Sequence, residues 1–283
     1  MTRLRTLRRT AVILLVTIGY TASFGALFYP TVSNLMNQYR QRKAARFYEQ
    51  AARGISGEKR RAILKEARAY NRQHRRNYIK DAFDTEEEYV LEHPYDQLLN
   101  PAGNQIMGYI EIPKIGITLS IHHGIGKQAL EEGCGHIEGT SLPVGGKGNH
   151  AVLAAHRGLP NARLFTDLDR MVKGDEFYLH VLGRVLAYRV DRIRVVLPEK
   201  TEALSIQEGR DLVTLLTCTP YGVNTHRLLV RGHRVRYDPA KERAQAAQAD
   251  PPVPYYLVAL AAGVLALLLF AFRSRKRNRG LRS

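Results

Sequence analysis

Cysteine is scarce in this sequence: Cys134 and Cys218 are the two thiols among 283 residues, and no Cys-x-x-Cys pair occurs. That scarcity speaks against both a disulfide framework and a cysteine-built zinc site. His136, His150 and His226 lack the short spacing of zinc ligands and read as structural hydrogen-bonding residues, so no metal site is expected. Acids are also in short supply, 26 against 43 Lys and Arg. Both ends lack them altogether: residues 1–10 hold Arg3, Arg5, Arg8 and Arg9, and residues 273–283 hold five arginines and Lys276. A net charge of +17 would suit a nucleic-acid partner, but ten of those charges sit in these two tails. They read as topology signals instead.

Inside each basic tail lies an apolar stretch, at residues 11–29 and 255–272. Each is near the roughly 20 residues a helix needs to span a bilayer. With basic clusters on the terminal sides, the positive-inside rule expects both termini in the cytoplasm and residues 30–254 outside, which argues against a nucleic-acid-binding module. The first stretch has two readings, a retained anchor or a cleaved signal peptide, since Ala22, Ser23, Gly25 and Ala26 lie near its end; the anchor is preferred. The second reads as a stop-transfer span, bracketed by Pro251-Pro252-Val253-Pro254 and the basic run from Arg273.

From residue 30 to 100 the composition predicts a helical arm, broken at Gly54 and Gly57. After Pro101-Ala102-Gly103 the chain turns to short apolar runs punctuated by Gly, Pro and Asn. Strands are predicted at 107–112, 118–121, 151–155, 176–181, 185–196, 213–217 and 228–235. This spacing of strands implies an all-β barrel or sandwich over residues 101–238, followed by a linker at 239–254.

The chemistry concentrates in TLLTCTPYGVNTHRLLVRG, residues 214–232. Thr219-Pro220-Tyr221-Gly222 supplies turn residues between two strands, so Cys218 and Arg227 come from neighbouring strand ends and can face one pocket. A thiol beside a fixed cation ionises more readily, and the thiolate is the nucleophile. Upstream, the apolar run 151–155 delivers His156, a candidate acid and base. A nucleophile, a proton shuttle and an oxyanion donor are the three parts that thiol acyl transfer requires. Taken singly, each residue also fits a structural role; the combination is the specific signal.

TLLTC at 214–218 with Arg227 nine positions after the cysteine, and AHRG at 155–158, resemble the signatures of sortases. GYIEIPKIGITLSIHHG (108–124), GHIEGTSLPVGG (135–146) and LFTDLD (164–169) extend the resemblance to the pilin-polymerising class C, over roughly residues 66–236. The resemblance implies a closed sortase barrel of about eight strands, with short helices at 128–132 and 164–170, and a transpeptidase that needs no cofactor. Its partners would be pilins or other surface proteins bearing a C-terminal Leu-Pro-x-Thr-Gly-like signal, at the outer face of a Gram-positive membrane. Cys218 would attack the Thr carbonyl to give a thioester and release the Gly-containing tail. His156 would protonate the leaving amine, Arg227 would hold the oxyanion or the substrate backbone, and a pilin lysine would resolve the thioester. Thr217, beside the nucleophile, is a candidate lining residue.

Class C resemblance also implies a lid over the active site, carrying an acid that meets the arginine and a ring that covers the cysteine. Asp81-Ala82-Phe83 keeps the acid and the ring but has Ala82 where proline is usual; a competing candidate, His93-Pro94-Tyr95, has no acid in front, and a plain acidic helix start is the bland reading of 81–88. Cys134 stands where the family usually has a small apolar residue and reads as a buried spectator, while His122-His123 reads as an exposed turn. The alternatives in function are a housekeeping sortase that joins proteins to peptidoglycan and a scaffold that keeps the barrel without catalysis. A cysteine L,D-transpeptidase is excluded because its Ser-His-Gly-Cys signature is absent.

Overall fold

Strand sequences with apolar residues at alternate positions put one face into a core, and eight of them here close on themselves. A computed structural model describes residues 2–74, 95–247 and 262–264. The chain divides into two units, Met1–Ala249 and Asp250–Ser283; nearly all of the second lies outside the described residues.

The strands are β1 (Ile106–Ile112), β2 (Ile117–His123), β3 (Cys134–His136), β4 (Asn149–Ala154), β5 (Glu176–Val181), β6 (Arg184–Val196), β7 (Asp211–Thr219) and β8 (His226–Val235). They form a closed barrel in the order β1-β2-β3-β4-β7-β8-β6-β5. Two neighbouring pairs, β2 with β3 and β4 with β7, run parallel. A parallel pair needs a crossover connection, so β4 and β7 meet although two strands separate them in sequence. Closure removes the open sheet edges that would otherwise invite pairing with another chain.

Alternation along β4 and β7 assigns their faces. Ala151, Leu153, Val213 and Leu215 belong to the main core, which also takes in Ile110, Ile121, Phe165, Phe177, Leu179 and Val230. Val152, Ala154 and Leu216 point the other way, into a second cluster with Leu130, Ile137, Leu204 and Leu229. These strands are apolar on both faces, so the barrel wall carries a second dry surface on its outside.

Among the described residues, helices α1 (Thr2–Gly54), α2 (Gly57–Gln73), α3 (Lys127–Glu132) and α4 (Pro239–Ala246) accompany the barrel. The break predicted at Gly54 and Gly57 is where α1 gives way to α2, whose N-cap Ser56 accepts a bond from the Lys59 N–H at 3.1 Å. Tyr48 of α1 donates to the Met107 carbonyl at 2.8 Å and accepts from the Leu182 N–H at 3.0 Å. Gln41 accepts from both the backbone N–H and the hydroxyl of Ser120 at 2.9 Å. The arm is thereby keyed to β1 and β2 by buried polar groups that would be costly to leave unpaired.

Several expectations need correction. His122-His123 is no exposed turn: both rings are buried at the end of β2. His123 is held by the Gln105 and Leu98 carbonyls, and β2 runs on to reach β3. The short β3 was not anticipated, because three residues carry too little periodicity. Of the helix expected at 164–170, only a single 3-10 turn forms, at Leu168–Arg170. Residues 239–246, read as linker, form α4, N-capped by Asp238 with Pro239 at the first helical position.

Residue 29 falls inside α1, which continues through Pro30 to Gly54. Among the described residues no helix is long and apolar enough to cross a membrane. The 11–29 stretch falls within α1, whose long polar portion follows it. The 255–272 stretch lies outside the described residues apart from 262–264.

Candidate active site

β7 and β8 are antiparallel, and Cys218 is the register partner of Arg227. Directly opposed residues share one face of a sheet, so thiol and guanidinium start out side by side. Both side chains are largely buried, each residue 8% exposed. The loop between them closes tightly: Val223 and Asn224 N–H groups both bond the Pro220 carbonyl, at 3.1 and 3.0 Å, with Asn224 at φ 63°. Arg227 Nη1 donates to the Asn224 and His226 carbonyls at 3.1 and 3.3 Å. The guanidinium is therefore aimed by its own loop.

His156 arrives from the other side. The parallel β4–β7 ladder pairs Ala154 with Leu216, and the Ala155 N–H reaches the Leu216 carbonyl at 3.2 Å. Continuing that register sets His156 beside Cys218, on the same outward face as Leu216 and Arg227. Burial lowers the pKa of the imidazole, and the charge of Glu131 on α3 raises it in part. A half-buried histidine below its ordinary 6.5 is mostly neutral at pH 7, the state that accepts a proton.

Gly158 follows closely behind and has φ +84°; a side chain there would meet the Tyr221 ring at 3.1 Å, so the β7–β8 loop rests on the turn after His156. Cys218 and Arg227 thus face one another across β7 and β8, and the register of β4 brings His156, two residues past its end, to the same end of the sheet. On that same outer face, leading up to them, lies the second apolar cluster. Val152, Ala154, Leu216 and Leu229 belong to it together with Leu130, Ile137 and Leu204, all buried, and Ile125, Val196 and Ala203 pack against it partly buried. Sequence reading missed this cluster. Its signal was available in AVLAA and TLLTC, where consecutive rather than alternate residues are apolar.

Thr217 does not line this face. It is fully buried, and its hydroxyl donates to the Ala155 carbonyl at 2.7 Å. Neighbouring strand residues point to opposite sides, so a residue adjacent to the nucleophile is turned away from it.

The first lid candidate, Asp81 and Phe83, lies outside the described residues. Of the second, Tyr95 is described: it is buried against His123 and His136, its hydroxyl 2.8 Å from His136 Nδ1, and so is engaged elsewhere. Cys134 is fully buried, its thiol pKa pushed far up by that burial, and neither cysteine is in a disulfide. His136 and His150 are buried hydrogen-bonding residues held neutral, each with its pKa lowered by burial to about 4. His226 bonds Thr225 at the start of β8.

Among the described residues one group has the make-up of a cation site, Glu111, His180 and Glu242. It sits on β1, β5 and α4, away from the strands that carry Cys218. His180 already pairs with Glu111 at 3.2 Å, and Glu242 accepts from Tyr237 at 2.6 Å.

The comparisons with known proteins agree with this geometry. Residues 110–235 match the sortase domain model. Sortase C1 of Streptococcus agalactiae is 42% identical, with a TM-score of 0.63 over 70% of this chain and 96% of that one. The chain belongs to the sortase family, a family of cysteine transpeptidases. A mutant of sortase C-1 from S. pneumoniae is 39% identical, with a TM-score of 0.65 over 69% of this chain and 98% of that one. Among curated relatives, Sortase A of Bacillus anthracis is 32% identical over 46% of this chain, and Sortase A of Streptococcus agalactiae is 33% identical over 40%. The chain spans 60% and 47% of the lengths of these two. Its structural neighbours are class C sortases.

Proposed function

We propose that this sortase is a class C transpeptidase that polymerises pilins at the outer face of the membrane. What supports the reading is the pairing of Cys218 with Arg227 across β7 and β8, with the end of β4 that leads to His156 laid alongside β7, in a barrel whose solved neighbours are class C sortases. His156 takes the thiol proton of Cys218, and the thiolate attacks the Thr carbonyl carbon of a Leu-Pro-x-Thr-Gly-like signal. The tetrahedral oxyanion is held by Arg227, which stays protonated at any working pH. Collapse breaks the Thr–Gly bond as His156 gives a proton to the departing amine, leaving a thioester. A lysine amine of the next pilin then attacks that carbonyl and yields its proton to His156, and an isopeptide bond replaces the thioester.

Ile125, Val196 and Ala203, partly exposed beside the second apolar cluster, are proposed to meet the apolar Leu-Pro segment ahead of the scissile bond. Asp81 and Phe83 are proposed as the lid, the acid for Arg227 and the ring for Cys218. The apolar stretches at 11–29 and 255–272, with their basic flanks, are proposed to hold the enzyme at the surface where its substrates are exported; confinement raises the effective concentration of both. Resemblance to proteins named Sortase A favours a second reading, attachment of surface proteins to peptidoglycan.

Incubating the protein with a Leu-Pro-x-Thr-Gly peptide and measuring intact mass tests the chemistry. A thioester adduct on wild type, absent from Cys218→Ala and stronger in Phe83→Ala, supports nucleophile and lid together. No adduct on any variant that retains Cys218 overturns the enzymatic reading in favour of a scaffold. Offering a lysine-bearing pilin domain against a peptidoglycan stem peptide then separates polymerisation from wall anchoring.

A further inference from the structure

Where the β4–β7 ladder ends, the catalytic pair begins. The last backbone bond across this gap is from the Ala155 N–H to the Leu216 carbonyl. Beyond it, side chains take over. Thr217 Oγ1 donates to the Ala155 carbonyl at 2.7 Å, one residue before the pair. Arg157 Nη1 donates to Thr219 Oγ1 at 2.9 Å, one residue after it. Cys218 and His156 thus lie between two cross-strand bonds made by their own neighbours, on the opposite face of the sheet.

Arg157 is itself held. Its Nη2 forms a short ion pair with Asp169 of the 3-10 turn at Leu168–Arg170, and only 9% of its side chain is exposed. Its Nε is buried without a hydrogen-bond partner. A guanidinium with one buried unsatisfied N–H is a poor choice for stability alone. Its placement is better explained by what it crosses.

We propose that Arg157 is a positioning residue for the transpeptidase reaction, clamping the end of β4 to the end of β7 through Thr219 so that His156 stays within reach of Cys218. The inference rests on Cys218 and His156 being the reacting pair. Losing the clamp leaves the strands paired up to residue 155 but lets the His156 turn drift, and proton transfer is sensitive to displacements of a fraction of an ångström.

The test is the pH dependence of Cys218 alkylation by iodoacetamide in the full chain, followed by peptide mass; it needs no substrate, and every protein compared, the reference included, carries Phe83→Ala so that the proposed lid does not gate the reagent. Arg157→Ala and Thr219→Ala are each expected to slow alkylation at pH 7 by about tenfold and to move its midpoint upward, while Thr219→Ser stays within about twofold of the reference. On a His156→Asn background, adding Arg157→Ala changes nothing further, because the clamp acts through His156. The reference profile in Arg157→Ala, or a loss that multiplies with that of His156→Asn, overturns the clamp. Should Arg157→Ala fail to fold, the contrast between Thr219→Ala and Thr219→Ser decides by the same criterion. If His156→Asn itself leaves the profile unchanged, the reading of the catalytic pair fails, which is a different result from failure of the clamp alone.

Discussion

Cys218 and Arg227 lie nine residues apart in sequence and directly opposite one another across β7 and β8. The tight turn between them makes the pairing local, while the bonds from Arg227 Nη1 to the Asn224 and His226 carbonyls fix where its charge sits. Arg227→Lys keeps a positive charge but loses the planar fork and its self-bracing bonds. We expect acyl-enzyme formation to fall by about 10²–10³ with the melting temperature nearly unchanged. Single-turnover adduct kinetics and thermal unfolding of the same preparation check both halves.

The partly buried rim of the second apolar cluster makes a separable prediction. Ala203 packs partly buried against that cluster, and under the proposed function a carboxylate there places a charge against the apolar part of the sorting signal. Ala203→Asp should raise KM for the peptide by about tenfold and leave kcat within about twofold, because the reacting atoms are untouched. An unchanged KM would mean that the signal does not lie against this rim.

Glu131 tests the state of His156. Its negative charge opposes the lowering of the imidazole pKa by burial, so Glu131→Gln should shift the His156 titration to lower pH. The residue is exposed, so screening keeps the effect small. Titration of His156 by NMR in a Cys218→Ala background reads it directly, and no shift would show that solvent screens Glu131 fully.

Stability should depend on pH through the two buried histidines. His136 and His150 are each held at about 4, below the ordinary 6.5 of the unfolded chain. Between these values the unfolded state binds more protons than the folded one, so stability is full above pH 6.5 and is lost as pH falls towards 4. The loss is on the order of 3 kcal/mol for each. Glu138 works the other way: burial first, then Asp96, raises it to about 7, so its contribution favours the folded state at low pH and fades as pH rises. Being only half buried, it offsets a minor part. Urea titrations at pH 5 and 7 should show the difference, and His150→Asn should reduce it.

Gly232 closes the signature stretch in β8, where an added Cβ would lie 2.7 and 2.9 Å from the Phe177 ring and 3.0 Å from Tyr188 Cβ. Gly232→Ala should cost about 1–3 kcal/mol by denaturant unfolding through overpacking of the barrel core. A neutral result would mean that Phe177 can move aside.

The amino-acid sequence alone determined what is local. Strand positions followed from short apolar runs between turn residues, and the Gly54 to Gly57 break, the turn from Thr219 to Gly222 and the Cys218–Arg227 pairing are all contacts between near neighbours. What only the tertiary structure decided is long-range. That β4 lies parallel to β7, setting His156 beside Cys218, depends on a crossover whose partners no periodicity specifies. That Thr217 turns its back on the site follows from which face of β7 is packed inward, and with apolar residues on both faces the pattern leaves that choice open. The burial of His122 and His123 has the same origin: a polar pair reads as a turn until β3 is laid against β2. The second apolar cluster and the Arg157–Thr219 bond belong to neither strand by itself; they exist because barrel closure brings together segments some sixty residues apart.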